Sequence, residues 1–147
     1  MIVPGVINVL LHDHDEMRRL CTDVRQADGA DKKGLFAELH QVVNVHELGD
    51  LAVVHPAARG NTSNGDRTAA ACMTEGADIA RALAELHALG VEHATFDGKL
   101  AMVHQAIRDH TAHEERDEFP LLRRYVSIQR LHMMAGELHD VQVMGTN

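Results

Sequence analysis

Apolar residues in this chain recur at steps of three and four through one segment after another, and the polar residues that fall on the same stripes are histidine, aspartate and glutamate. A period near 3.6 places such residues on one face of an α-helix, and that face has to be buried against another. The spacing predicts a first helix after Pro4, a favourable early-helix residue, with Ile7, Leu10, Leu11, His14, Met17, Cys21 and Val24 on its stripe and an end near Ala27 to Gly29. A second starts after Asp31, which can cap it, carries Leu35, Leu39, Val42, Val43, His46, Asp50, Val53 and Val54, and is closed by Pro56. A polar loop over Arg59 to Asp66 leads to a third, from about Thr68 to Leu89, which carries Cys72, Ile79, Leu83 and Leu86, with Gly90 after its last turn. The fourth follows Thr95 as its N-cap, presents Leu100, Val103, Ile107, His110, Glu114 and Leu121, and is interrupted by Pro120. A last helical segment spans about Ser127 to Met144. Short links between long helices predict an all-α, up-down antiparallel four-helix bundle with an additional C-terminal helical segment, one domain over 1–147 with its bundle core at about 6–124.

Composition agrees with helices and narrows the function. Three Phe, one Tyr, no Trp and three Pro disfavour a β-sandwich or barrel. A formal net charge of −8 argues against nucleic acid or an anionic membrane as partner, because both need clustered Lys and Arg. No apolar run is long enough to span a bilayer, and the first residues lack the basic start of a secretory signal. Cys21 and Cys72 stand far apart with no CxxC, which suits a reduced, cytoplasmic setting.

Twelve of the 147 residues are histidine, and they are dispersed rather than strung together as a tag. Metal binding and pH response are the usual reasons for such a count. His14, His46, Asp50, His110 and Glu114 all lie on inner stripes, where an imidazole or carboxylate is costly unless paired or bound to a metal. His46 and Asp50 are four apart, as are His110 and Glu114, so two helices each present an imidazole and a carboxylate one turn apart on one face. Carboxylates can bridge two cations while imidazoles take terminal positions, and mixed nitrogen and oxygen donors suit iron, with zinc and manganese as alternatives. Taken singly, either pair could be a chance spacing on an exposed face, and a lone buried histidine is more often a hydrogen-bonded core residue. Their joint occurrence on separate inner stripes favours ligands.

The segments LLHDHDEMRRL, HELGDLAVVHPAAR and HTAHEERDEFPLLRR together resemble the hemerythrin-like, HHE cation-binding family over roughly residues 6 to 124. The last segment is the most specific, with HxxxE followed by E, F and P. The resemblance implies a four-helix bundle with two non-haem irons, oxo- or carboxylate-bridged, that binds O2 or NO or responds to peroxide. By matching positions it implies His14, His46, Asp50, His110 and Glu114 as ligands.

Three positions depart from that pattern. Asp50 stands where the family usually has Glu, and the shorter side chain changes the reach of a bridge. His55 stands where the family often has Tyr before the proline. It lies half a turn from His46 in an ideal helix, so it faces the site only if Pro56 ends or distorts the helix, and otherwise it sits at a helix end as a surface or capping residue. The third helix, where the resemblance implies a histidine, reads CMTEGADIARALAELH and has none before His87. Glu75, on the Cys72/Ile79 stripe, is the best replacement, ahead of a solvent-facing Asp78. Its other reading is a carboxylate held near a helix start by the dipole. Without either, the centre loses a ligand and holds one metal or keeps an open position.

His12 and His113 point sideways from the ligand positions, with His113 placed to support them. His40, His87, His93 and His104 read as surface or boundary residues, and His132 and His139 share one face of the last segment. The absence of a dinucleotide fingerprint, Walker motif, HExxH or GxSxG leaves other chemistry unsupported. Three functions follow as expectations. The first is a protein that binds or senses a diatomic gas or peroxide. The second is a redox enzyme dismutating peroxide or reducing NO at the same centre, with His55 or His113 as proton donor. The third is a metal-altered bundle for zinc or iron binding, storage or protein interaction.

Overall fold

Each segment with period-3.6 patterning is helical in the computed structural model, which describes residues 5–145 and contains no strand among them. Pro4 lies outside the described residues. The elements are α1 (Val6–Gln26), α2 (Gly29–Gly49), a π-helical turn (Asp50–Val54), α3 (His55–Ala58), α4 (Ser63–Leu89), α5 (Phe96–His113), a second π-helical turn (Glu114–Glu118), α6 (Phe119–Tyr125) and α7 (Ile128–Gly145). The second and fourth rods of the bundle are therefore each one long helix with a wide turn inside it. α1 packs on α2 and α5, and α4 packs on the same two, which closes a four-membered ring, while α7 lies against α1 and α2.

Several boundaries differ from those the sequence predicts. Pro56 does not close the second helix. The ring of a proline clashes with the carbonyl four residues earlier in a regular α-helix. Here the preceding turn is already widened, with the His55 amide donating to the Asp50 carbonyl, and the chain stays helical to Ala58. Pro120 is accommodated identically, next to a turn in which the Phe119 amide donates to the Glu114 carbonyl. The second helix begins at Gly29 rather than after Asp31, because the Lys32 amide already reaches the Asp28 carbonyl. α4 starts at Ser63, inside the expected loop, since the Thr62 hydroxyl accepts from the Gly65 amide at 2.9 Å and caps it. Thr95 makes no side-chain cap; the His93 imidazole accepts from the Thr95 amide instead. Gly90, at φ +90°, ends α4 as expected.

Two apolar clusters occupy the two ends of the bundle. One gathers Leu20, Val24, Phe36, Leu39, Leu83, Leu86, Phe96 and Leu100. The other gathers Val6, Leu10, Val54, Phe119, Leu122, Met134 and Leu138. α7 seals the second end closely: a β-carbon at Gly49 would lie 2.3 Å from Leu138 Cδ1. Between the clusters runs a polar layer. Neither cysteine is bonded to the other, and both are buried. Burial pushes the Cys21 thiol up to about 12 and the Cys72 thiol up as well. Cys21 is accordingly expected to resist alkylation in the folded protein at mildly alkaline pH and to react fully after denaturation, as read by intact-mass spectrometry.

Candidate metal centre

The polar layer is built by three of the four rods. α1 contributes His14; α2 and its continuation contribute His46, Asp50 and His55; α5 and its continuation contribute His110, Glu114 and Glu118. All seven are buried. Glu118 was not among the residues singled out from sequence, although it stands four after Glu114 and so continues the spacing begun by His110. The wide turns aim the later members of each series. A turn closed from residue i to i+5 carries one residue more than an α-helical turn, and the phase of everything beyond it shifts. His55 thereby comes round to the face of Asp50, and its Nδ1 lies 2.7 Å from Glu118 Oε2.

These side chains touch, yet they do not satisfy one another. Ten buried side-chain nitrogen and oxygen atoms among the described residues lack a hydrogen-bond partner, and all ten belong to these seven residues. His110 Nε2 lies 2.9 Å from Glu114 Oε1 and His46 Nε2 lies 3.3 Å from Asp50 Oδ2, both ion-pair distances without hydrogen-bond geometry. An orphaned buried polar atom costs about 1–3 kcal/mol. A fold tolerates such a layer only if something else satisfies it; His46 Nδ1 faces outward to Asp13, and a cation set among the inward-facing lone pairs can satisfy the others.

The outer edges of the imidazoles are held. His14 Nδ1 meets Glu115 Oε2 at 2.8 Å, and Arg18 fixes that carboxylate from 3.1 Å. His110 Nδ1 meets Glu75 Oε1 at 2.9 Å. His46 Nδ1 faces Asp13 at 3.5 Å, and Gln142 of α7 donates to the same Asp13 oxygen. Donation from Nδ1 to a carboxylate leaves Nε2 as a lone pair directed inward, an arrangement that metal-bound histidines usually show. The Phe119 ring stacks on His14 at 5.4 Å and restrains its tilt.

Without a cation the layer is held by protons. Burial opposes charge on His46 and His110, but the surrounding carboxylates outweigh it: His46 is held well above the usual imidazole range by Asp50 and Asp13, and His110 is raised to about 9 by Glu114 and Glu75. Burial would raise Glu114, yet His110 and His14 keep it well below the usual carboxylate range. Burial dominates at Glu118, which rises to about 7 against the pull of His55. A metal ion entering this layer replaces those protons.

Glu75 sits apart from the inner seven. It is partly exposed on α4, behind His110, and its second oxygen accepts from His113 Nδ1 at 2.8 Å. Asp78 is exposed. His104, read as a boundary residue, is buried and meets Arg25 at 3.1 Å. His132 and His139 are exposed on α7.

Four trios of side chains bring donor atoms within 4.8 Å of one another: His14, His46 and Glu114; Asp50, His55 and Glu114; Glu47, Asp50 and His110; and, on the outer side, Cys72, Glu75 and His113. The first three overlap through Asp50 and Glu114. Residues 5–122 match the family described as the hemerythrin HHE cation binding domain. The chain belongs to that family. The hemerythrin HHE fold is also seen in a crystal structure of a hemerythrin HHE cation binding domain-containing protein from Mycobacterium kansasii, which superposes with a TM-score of 0.84 at 16% identity over 97% of this chain and 88% of that one. No curated protein matches the chain in sequence. The family and the clusters of His, Asp and Glu make this a metal-binding helical domain. No helix among the described residues is long and apolar enough to cross a membrane.

Proposed function

We propose that this hemerythrin-like domain holds two non-haem irons in its polar layer and uses them to bind or sense O2, NO or peroxide. One observation carries the reading: Asp50 and Glu114 each belong to two donor trios, so a single carboxylate can serve two adjacent cations. Histidine nitrogens fill the outer positions, and no thiolate enters the three overlapping trios, a donor set that suits iron and also fits zinc or manganese. Iron held there would supply a position open to a small ligand. The protein's own part is to orient the imidazoles through Glu115, Glu75 and Asp13 and to keep bulk water out with an apolar cluster at each end. A solvent-open cleft of about 370 Å³ between α4 and α5, lined by Ile79, Ala82, Val103 and Ala106 and by the carboxylates of Asp78 and Asp109, reaches Glu75 and His110 and gives a small molecule a path toward the layer.

The test is metal content per chain of untagged protein expressed with ample iron, together with its near-ultraviolet spectrum. Two irons with an oxo-bridge band are expected, followed by a spectral change with O2, NO or peroxide. A single metal, or zinc alone, would overturn the di-iron reading.

A second reading, redox turnover of peroxide or NO, is favoured by the line His113–Glu75–His110, which links a partly exposed imidazole to an inner one through one carboxylate. Glu75 also lines the cleft beside His110, so the line can pass a proton from His113 through Glu75 to a small molecule there, with His110 Nε2 left to hold metal. If it does, His113→Gln lowers turnover about 10²–10⁴-fold while iron content stays at the wild-type level; unchanged turnover removes the role.

A further inference from the structure

α4 is the one rod of the ring that places no side chain among the inner seven, and the reason is visible at Gly76. Gly76 is buried where α4 faces the layer. A β-carbon there would lie 2.2 Å from Glu47 Oε2 and 2.6 Å from its Cδ and Oε1, well inside van der Waals contact. Glu47 comes from α2 and follows His46, so its helix phase turns it toward the neighbouring rod rather than straight inward. Its carboxylate fills the space that a side chain at position 76 would take. From there it offers an oxygen within 4.8 Å of donor atoms on both Asp50 and His110.

We propose that Glu47 is a metal ligand, completing one cation position with Asp50 and His110, and that Gly76 is the residue that admits it. The inference rests on the two-metal reading of the layer. It assigns the donor missing from α4 to α2, and it makes a glycine on α4 a determinant of metal occupancy. That trio carries two carboxylates and one imidazole, whereas the trio of His14, His46 and Glu114 carries two imidazoles and one carboxylate, and the trio of Asp50, His55 and Glu114 shares one carboxylate with each. The two cations would therefore sit in unequal fields, and the more anionic position would depend on Glu47.

The experiment is isothermal titration of metal-free protein with cobalt(II), with elemental analysis after loading and circular dichroism as the check on folding. Wild-type protein is expected to take up two ions. Glu47→Gln keeps the shape and removes the charge; Gly76→Ala displaces the carboxylate and leaves the charge. Both are expected to retain one ion at wild-type affinity and to weaken the second by more than the about 10–100-fold that loss of an outer-shell partner gives. Should Gly76→Ala not fold, the double variant Glu47→Ala/Gly76→Ala relieves the clash and is expected to fold and bind one ion. Asp78→Asn, on the exposed face of the same helix, keeps both. Two ions bound at wild-type affinity by Glu47→Gln and by the double variant would overturn the assignment. A wild-type chain that takes up fewer than two would overturn the two-metal reading, and this assignment with it.

Discussion

Loading the metal-free protein with ferrous iron under anaerobic conditions is expected to raise its melting temperature by roughly 8–16 °C. The figure follows from linkage. A ligand that binds only the folded state at about 1,000 times its Kd adds about 4 kcal/mol, and each kcal/mol moves a domain of this size by about 2–4 °C. The structural reason is the layer of ten unpartnered buried atoms, which a cation converts from a cost into a set of bonds. Glu114→Ala removes the carboxylate shared by two trios and is expected to abolish the iron-dependent rise. A differential scan with and without iron checks both. An equal melting temperature in the two states would mean that protons alone satisfy the layer.

Phe96→Ala is expected to cost about 3–5 kcal/mol, a large share of the about 5–15 kcal/mol that holds a typical domain folded. Phe96 is fully buried at the end of the bundle away from α7, edge-on to Phe36 at 5.2 Å, with the Lys32 ammonium 5.6 Å above its ring. It touches none of the seven residues of the polar layer, so iron per folded chain should be unchanged. Urea denaturation read by circular dichroism gives the first quantity and elemental analysis the second. A Phe96→Ala protein of normal stability that had lost its iron would show that the apolar end and the metal layer are not the separable units the packing describes.

Much of this architecture is legible before any coordinates. The apolar steps of three and four in LLHDHDEMRRL and in the Leu100–Val103–Ile107 series specify helices because backbone geometry alone puts those residues on one face. The His46/Asp50 and His110/Glu114 pairs are legible for the same reason. The structure brings them together with His14 in one buried layer. His55 and Glu118 were less accessible. Their place in the layer depends on wide turns beside Pro56 and Pro120, and the sequence predicted breaks there instead. A proline announces that a regular α-helix cannot pass; whether the chain stops or widens is decided by what the next turn can bury. In both cases that turn buries residues against the second apolar cluster, Val54 and Ala58 in one and Phe119 and Leu122 in the other.

The chain by itself therefore determined the helices, their inner faces and the chemistry of the side chains on those faces, all of which follow from spacing within single segments. The tertiary structure alone decided three things. It set Glu75 behind His110 rather than among the inner seven, because Gly76 is the residue of that turn that faces the layer and the Glu75 carboxylate meets the imidazole on its outer edge. It gave Asp13 and Gln142 a joint hold on His46 by laying α7 along α1 and α2. It also placed Glu47 over Gly76, a pairing across two helices that no local pattern encodes. Each is a contact between rods, fixed by how closely two packed surfaces approach, and a one-dimensional period carries no information about that distance.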